Sequence, residues 1–402
     1  MAEGWMTTEE AAARLGVKAE TLYAYVSRGV IRSERIPGER RSRFLRADVE
    51  RLAGRQRGGG RAGGLEIVVE SELTLLDPTG RLFYRGWDVE DAARSASFED
   101  VATWLWTGTH GDVPFEASKA ALRAARRVVS ALPREAPTID RLRAVVVAIR
   151  GLDPLRDDRR PVAVALTGRS LIATLVDALP TLAGGEPPAS GSVASRLWPR
   201  LSSRRATAER VRLLDAAMIM LADHELAAST FAARVAASTW ADPYLVVEAG
   251  FAALGGPLHG GASDQARRML RDASRSGDAA AVVGARLRDG ELIPGFGHRV
   301  YLDRDPRADL LLRLLEDAGA LDRVAAARGV LETMRRRKLP FANIDFALAV
   351  LAEDNDMIAG ATEITFAIAR VVGWLAHAVE EYDHRLRFRP RAAYVGPRPA
   401  GG

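Results

Sequence analysis

The sequence predicts a mainly α-helical protein, and three observations predict it. Apolar residues recur at helical spacing: Val211, Leu214, Met218 and Leu221 step by three and four, and so do Ile364, Ile368, Val371 and Leu375. Each set gives its segment one buried stripe. Strand-like alternation is brief, around Leu65–Thr74 and Arg81–Tyr84. Apolar residues make up 48% and charged residues 27% of the 402, the balance of a packed globular interior. A chain of this length is expected to form more than one domain.

The first element in order is a small unit at the N-terminus. Thr7 and Glu10 have capping-box spacing ahead of Ala11–Leu15, and Gly16 ends that helix. A second helix, about Ala19–Arg28, stops at Gly29. A hairpin follows, Val30–Ile36 and Arg41–Leu45 joined through Pro37 and Gly38, and Asp48 starts a last short helix. Residues 1–62 carry thirteen Lys or Arg against eight Asp or Glu, which accounts for the whole formal charge of +5. A basic excess confined to one end points to a module that meets an anion. The runs TTEEAAARLGV and TLYAYVSRGVI with a basic wing resemble the winged helix-turn-helix modules of the MerR and excisionase type. That resemblance implies DNA as a partner, with Tyr23 and Arg28 on the groove-facing helix and Arg32, Arg35, Arg40, Arg41 and Arg43 on phosphates. The helix has no Asn or Gln for bidentate adenine reading. Docking to another protein through a solvated basic face is the competing reading. The module is bounded at 1–52, and AGRQRGGGRAGG, 53–64, is a Gly-rich linker with a span of roughly 17–21 Å.

Several chemistries are excluded by residue type. There is no cysteine, which removes disulfides, thiolate metal sites and cysteine nucleophiles. His224-Glu225 lacks the second histidine of HExxH, and no histidine pair has short ligand spacing, so no metal is expected. Neither a P-loop nor GxGxxG follows a strand, and Ser170 in GRS lacks the GxSxG elbow. The start MAEGWMTTEE is unlike a signal peptide, and no run reaches the roughly 18–20 apolar residues of a bilayer span. The chain is expected in the cytoplasm, off the membrane.

The candidate chemistry lies in three of the six histidines. His224, in LADHELAAST, continues the apolar stripe of its helix inward, where a titratable ring needs a partner. His259 in GGPLHGGAS and His298 in PGFGHRVYLDRDPRA are framed by glycines that let backbone approach a ligand closely. A satisfied core or loop histidine is the alternative for each one alone.

The runs HELAASTFAARVAAST, GGPLHGGA, PGFGHRVYLDRDPRA, FANIDF, AIARVVGWLAH and RPRAAYVG resemble successive signature blocks of the citrate synthases, from about Leu73 to Gly396. The resemblance implies a helical homodimer with a large domain, 65–262 and 359–402, and a small domain, 263–358, that close over the substrates oxaloacetate and acyl-CoA. No other cofactor is implied. It assigns Asp345 as the base that deprotonates the acyl methyl group and His259 as hydrogen-bond donor to the thioester oxygen. His298 then polarises the keto carbonyl and protonates the new alkoxide. Arg307, Arg370 and Arg389 match carboxylate-binding arginines, a task suited to guanidinium forks, and His224 matches a histidine that contacts hydroxyl or carbonyl. Arg389 matches a residue that reaches in from the other subunit. His377 is expected to be structural, and His110 and His384 to lie on the surface.

Two departures bear on substrate. Ala347, Leu348 and Ala349 follow NIDF, an apolar setting that raises a carboxyl pKa by desolvation or suits a longer acyl chain. Leu302 follows GHRVY where a basic residue is usual. Citrate synthase and 2-methylcitrate synthase, which would use propionyl-CoA, both fit the motifs. A DNA-binding regulator with a metabolite-sensing, synthase-like domain is the reading from another class.

Overall fold

The computed structural model describes residues 5–15, 17, 22–23, 25–26, 31–35, 42–46, 48–49, 68–77, 80–133, 135–182, 190–256, 261–384 and 388–389. The expected linker lies outside them, as do Arg28, Arg40, Arg41, the side chain of Arg35 and most of the expected loop at 184–192. By its contacts the chain divides into two units, Met1–Glu70 and Ser71–Gly402.

In the first unit β1 (Trp5–Met6) leads into α1 (Thr8–Leu15), and β2 (Ser33–Arg35) pairs antiparallel with β3 (Ser42–Leu45) as the expected hairpin. The capping box is made in both directions. The Thr7 N–H donates to the Glu10 carboxylate at 2.8 Å and the Glu10 N–H donates to Thr7 Oγ1 at 3.2 Å. β1 pairs with β3 through Trp5–Leu45 and Met6–Phe44, a strand that sequence periodicity missed because two residues show no alternation. Met6, Ala11, Leu15, Leu22, Ile31, Phe44 and Val49 make a small separate core. Arg32 corrects one expectation. Its Nε donates to Asp48 Oδ2 at 3.0 Å and its backbone N–H donates to the same oxygen, so this guanidinium ties the wing to the unit's end instead of standing free for phosphate.

The second unit opens with β4 (Thr74–Leu76), β5 (Leu82–Tyr84) and β6 (Trp87–Asp88) in an antiparallel meander. Of the strand expected over Leu65–Thr74, residues 65–67 lie outside the described residues, 68–73 are irregular, and Thr74 opens β4. Pairing begins only where the turn closed by Asp77 N–H to Arg81 O, 2.9 Å, brings a partner alongside. The rest is helical: α2 (Val89–Ser95), α3 (Phe98–Thr107), α4 (Lys119–Ala131), α5 (Thr138–Arg150), α6 (Pro161–Ala178), α7 (Val193–Leu201), α8 (Ala208–Leu221), α9 (Ala228–Ser238), α10 (Pro243–Leu254), α11 (Ala262–Ser276), α12 (Ala279–Arg288), α13 (Pro306–Asp317), α14 (Ala320–Arg323), α15 (Ala325–Arg336), α16 (Ile344–Asp354) and α17 (Ala361–His384). One continuous apolar core runs from Leu73 to Tyr382 and contains both predicted stripes, with Val211 partly buried at its margin. α6 is long and apolar enough to cross a membrane by length and composition, but 56% of it is buried inside the fold, as in a core helix.

α17 positions the site. Its residues 370, 373 and 377 fall on one face and grip the segment after α8. Arg370 Nε donates to Leu221 O (2.7 Å), the Gly373 N–H to Ala222 O (3.0 Å), and His377 Nε2 lies 3.3 Å from Asp223 Oδ2. Only glycine fits at 373, because a Cβ there would run into Asp223 Oδ1 and Ala222 O. His224 follows directly on this clamped segment.

Candidate active site

The loop bearing His298 and the helix bearing Asp345 are built together. The Asn343 N–H donates to Gly295 O (2.9 Å), the Gly297 N–H to Phe341 O (2.7 Å), and Asn343 Nδ2 to Gly297 O (2.9 Å). Gly295 has φ +83°, and a Cβ there would sit 2.8 Å from that of Phe346. The glycine frame thus serves the close approach of two backbones. Asn343 then caps α16 by accepting the Asp345 N–H at 3.0 Å.

His298 turns back on its own loop, where its Nδ1 accepts the N–H groups of Val300 (3.1 Å) and Tyr301 (3.2 Å). Burial and the Arg307 charge push its pKa down to about 4. A neutral ring whose Nδ1 accepts carries its proton on Nε2, so His298 presents a donor. Arg307 Nη2, 3.5 Å from Nε2, is too far to compete with two amides.

Arg307 forms a fork–fork pair with Asp305, Nε to Oδ1 at 2.9 Å and Nη2 to Oδ2 at 2.8 Å. Burial alone would raise the Asp305 carboxyl, but the Arg307 charge holds it below the usual range. Asp305 also caps α13 and accepts the Ile344 N–H at 3.1 Å, which links the arginine to the start of α16.

Arg370 is different. It is 1% exposed, and among the described residues its guanidinium makes one hydrogen bond, to a carbonyl, stacks on Phe366 at 4.7 Å, and has no ion pair. Burial drives its pKa down to about 10, with Asp223 offsetting the shift only through space. The buried ion pair that would make Arg370 structural is not formed by these residues.

His224 lies among these charges. Burial, then Arg307, Arg370 and His298, hold its pKa well below the ordinary value, so the ring is neutral. Its centroid is 5.2 Å from that of His298, and its Nε2 is 3.1 Å from the Tyr301 hydroxyl. Asp345 is half-buried in the first turn of α16. Burial raises its carboxyl pKa, against the opposing hydrogen bond from Ser263 Oγ to Oδ1 at 2.5 Å and the charge of Arg307. Among the described residues no hydrogen bond reaches Oδ2, which is left to take a proton.

The structure therefore gathers His224, His298, Arg307 and Arg370, with Asp345 joined to them through Asp305. His259 lies outside the described residues, and Arg389 is exposed just beyond Phe388, whose ring packs on Phe231 at 5.5 Å. Sequence reasoning missed Ser263, Tyr301, Asp305 and Asp223. All four stand inside quoted motifs, so their position was a signal, but their roles depend on partners. In the first unit Tyr23 is 43% exposed with its ring against Phe44, and Arg43 is exposed on β3.

A mainly helical unit that brings together a neutral histidine donor, a buried arginine with no ion pair among the described residues and an aspartate of raised pKa has the groups that suit an anionic ligand with a carbonyl. Residues 64–391 match the family model described as citrate synthase, C-terminal domain, and residues 5–57 match one described as helix-turn-helix domain. Citrate synthase 2 of Bacillus subtilis is 32% identical over 364 residues, covering 83% of this chain and 95% of that one. A 2-methylcitrate synthase of Shewanella oneidensis is 29% identical over 394 residues, covering 88% and 97%. The ternary complex of carboxymethyl coenzyme A and oxaloacetate with citrate synthase from Thermoplasma acidophilum superposes with a TM-score of 0.69 at 26% identity, covering 83% and 95%. The chain belongs to the citrate synthase family, a family of acyltransferase-type enzymes, and carries a helix-turn-helix domain ahead of it.

Proposed function

We propose that this chain joins the methyl carbon of acetyl-CoA to the keto carbon of oxaloacetate, giving citrate and CoA. The observation that carries the reading is Arg370, a buried cation without a carboxylate among the described residues, which a carboxylate of the keto acid would satisfy. The free edge of Arg307 takes the second carboxylate. His298 Nε2–H donates to the ketone oxygen, which can only accept. Asp345 Oδ2 removes the methyl proton, and His259 donates to the thioester oxygen as charge develops there, a type of donor worth about 2.7–4 kcal/mol of barrier. The new carbon–carbon bond forms between enolate and ketone, the alkoxide takes a proton, and water then releases CoA. Arg337 and Lys338, exposed and with no ion pair among the described residues, suit CoA phosphates.

We infer a homodimer in the cytoplasm as the working form. Val147, Leu152, Leu155, Val162, Leu166 and Leu245 are exposed on adjoining α5, α6, α10 and the loop between α5 and α6, an apolar surface that a second copy would cover. Arg389, exposed on the monomer, would complete the partner's site. Propionyl-CoA is the second reading, favoured by the 29% identity to a 2-methylcitrate synthase; one methylene is worth only about 1–3 kcal/mol. For the first unit we infer DNA binding through exposed Arg43 and Arg46, with a metabolite-regulated DNA binder as its regulatory form.

Because the chain has no cysteine, a thiol reagent reports released CoA without protein background. Thiol release is expected with oxaloacetate and one of the two thioesters, and silence with both defeats the synthase reading. Retention of DNA at low salt that fades as salt rises is expected for the first unit. No retention at low salt assigns it to protein docking, and a change on adding oxaloacetate favours the regulator.

A further inference from the structure

Tyr301 stands at the centre of the site with no role yet assigned. It is buried, its ring centroid is 4.8 Å from that of His298 and 5.4 Å from that of His224, and the Arg307 guanidinium lies 5.8 Å from its centre. Two groups of this one residue each meet a different histidine. Its backbone N–H donates to His298 Nδ1 at 3.2 Å, and its hydroxyl is 3.1 Å from His224 Nε2.

The direction of the second bond follows from the phenol. Among the described residues the hydroxyl has one hydrogen-bond partner, His224 Nε2, and a buried O–H left without an acceptor costs free energy. The Tyr301 hydroxyl therefore donates, Nε2 is a lone pair, and the neutral His224 ring carries its proton on Nδ1. Burial pushes the phenol up to about 12, so the donor proton is present across the working range. His298, accepting at Nδ1, carries its proton on Nε2. The two adjacent neutral rings therefore hold opposite tautomers, and Tyr301 contributes a donor to each.

We propose that Tyr301 is a positioning residue for the keto-acid site: with its amide and its phenol it fixes His298 and His224 in opposite tautomers, so that only His298 presents a proton to the ketone. The role deepens the condensation reading of this site and rests on it. A site with both Nε2 atoms protonated would offer two competing donors to one oxygen and leave the phenol without an acceptor. A phenol fixing a histidine's tautomer is the arrangement by which outer partners orient catalytic rings.

Tyr301→Phe isolates the hydroxyl, since the ring, its stacking, its contact with Arg307 and the backbone N–H to His298 remain. In the full-length protein with ¹⁵N-labelled imidazoles, nitrogen shifts read each tautomer directly, and His224→Gln and His298→Gln supply the assignments. Wild type is expected to show His224 protonated on Nδ1 and His298 on Nε2. In Tyr301→Phe, His298 is expected to be unchanged while His224 leaves its single tautomer. Calorimetric affinity for oxaloacetate should fall on the order of tenfold, while KM for the thioester stays within about twofold in active protein. An unchanged His224 tautomer, or unchanged oxaloacetate affinity, overturns the proposal. If wild type binds oxaloacetate yet releases no thiol from either thioester, the synthase reading fails while the binding comparison still decides Tyr301. A wild type that binds no oxaloacetate overturns both.

Discussion

Two buried arginines of the catalytic unit, Arg234 on α9 and Arg370 on α17, separate scaffold from site. Arg234 donates to Glu381 at 3.0 Å, to Glu380 at 2.8 Å and lies 2.8 Å from His377 Nδ1. Its fork ends on acceptors, and two carboxylates more than match its charge. Arg370, equally buried, has among the described residues one carbonyl and an aromatic face. Taking a guanidinium out of water costs several kcal/mol, and a fold recovers that by pairing it. A fold that leaves the pairing undone has left room for an anion from outside the chain. Arg307 stands between the two cases, with one edge committed to Asp305 and the other open.

The largest expected effect breaks the paired arginine. Arg234→Met strands Glu380 and Glu381 in the interior and should cost about 3–5 kcal/mol of stability. Urea unfolding would read it, and the protein that remains folded should keep its KM for oxaloacetate. A loss below about 1 kcal/mol would put Arg234 outside the scaffold. Arg370→Met should do the reverse. Removing an unpaired buried charge leaves stability equal or higher, while kcat/KM for oxaloacetate falls about 10- to 100-fold, the worth of a charged hydrogen bond. If Arg370→Met unfolds the protein and leaves kcat/KM intact, the contrast is void.

Much of this contrast was legible before any coordinates. His224, His298, Arg307, Arg370 and Asp345 each stood in a quoted motif, because chemistry restricts residue type and a helical period places a residue on a face. What could not be read was pairing. Arg234 lies in HELAASTFAARVAAST beside His224, and nothing local shows that its partners are more than 140 positions away on α17. Asp305 was visible in DRDPRA, but its second task, accepting the Ile344 N–H, depends on a loop closing 39 residues later. Arg32 shows the same limit in the first unit. Its type suited phosphate, and Asp48 took it. Residues 68–72, ahead of Thr74, are irregular, and among the described residues no strand runs beside them, which a strand needs.

The smallest effect sharpens the contrast at the base. Burial raises the Asp345 carboxyl pKa, and the Ser263 hydroxyl opposes that by bonding the charged form. A base must be unprotonated, so kcat/KM falls as pH drops through the raised value. The acid limb is therefore expected above the range of an ordinary aspartate. Ser263→Ala deletes the opposing bond and should move the limb to still higher pH, with little change in the plateau. A limb that moves lower or stays put would mean that Ser263 does not bond Asp345 in the working enzyme. The charges acting on Asp345 are those of Arg307 and Asp305. Arg370→Met should accordingly lower the whole profile and leave the limb in place, which distinguishes a cation that holds substrate from one that tunes the base.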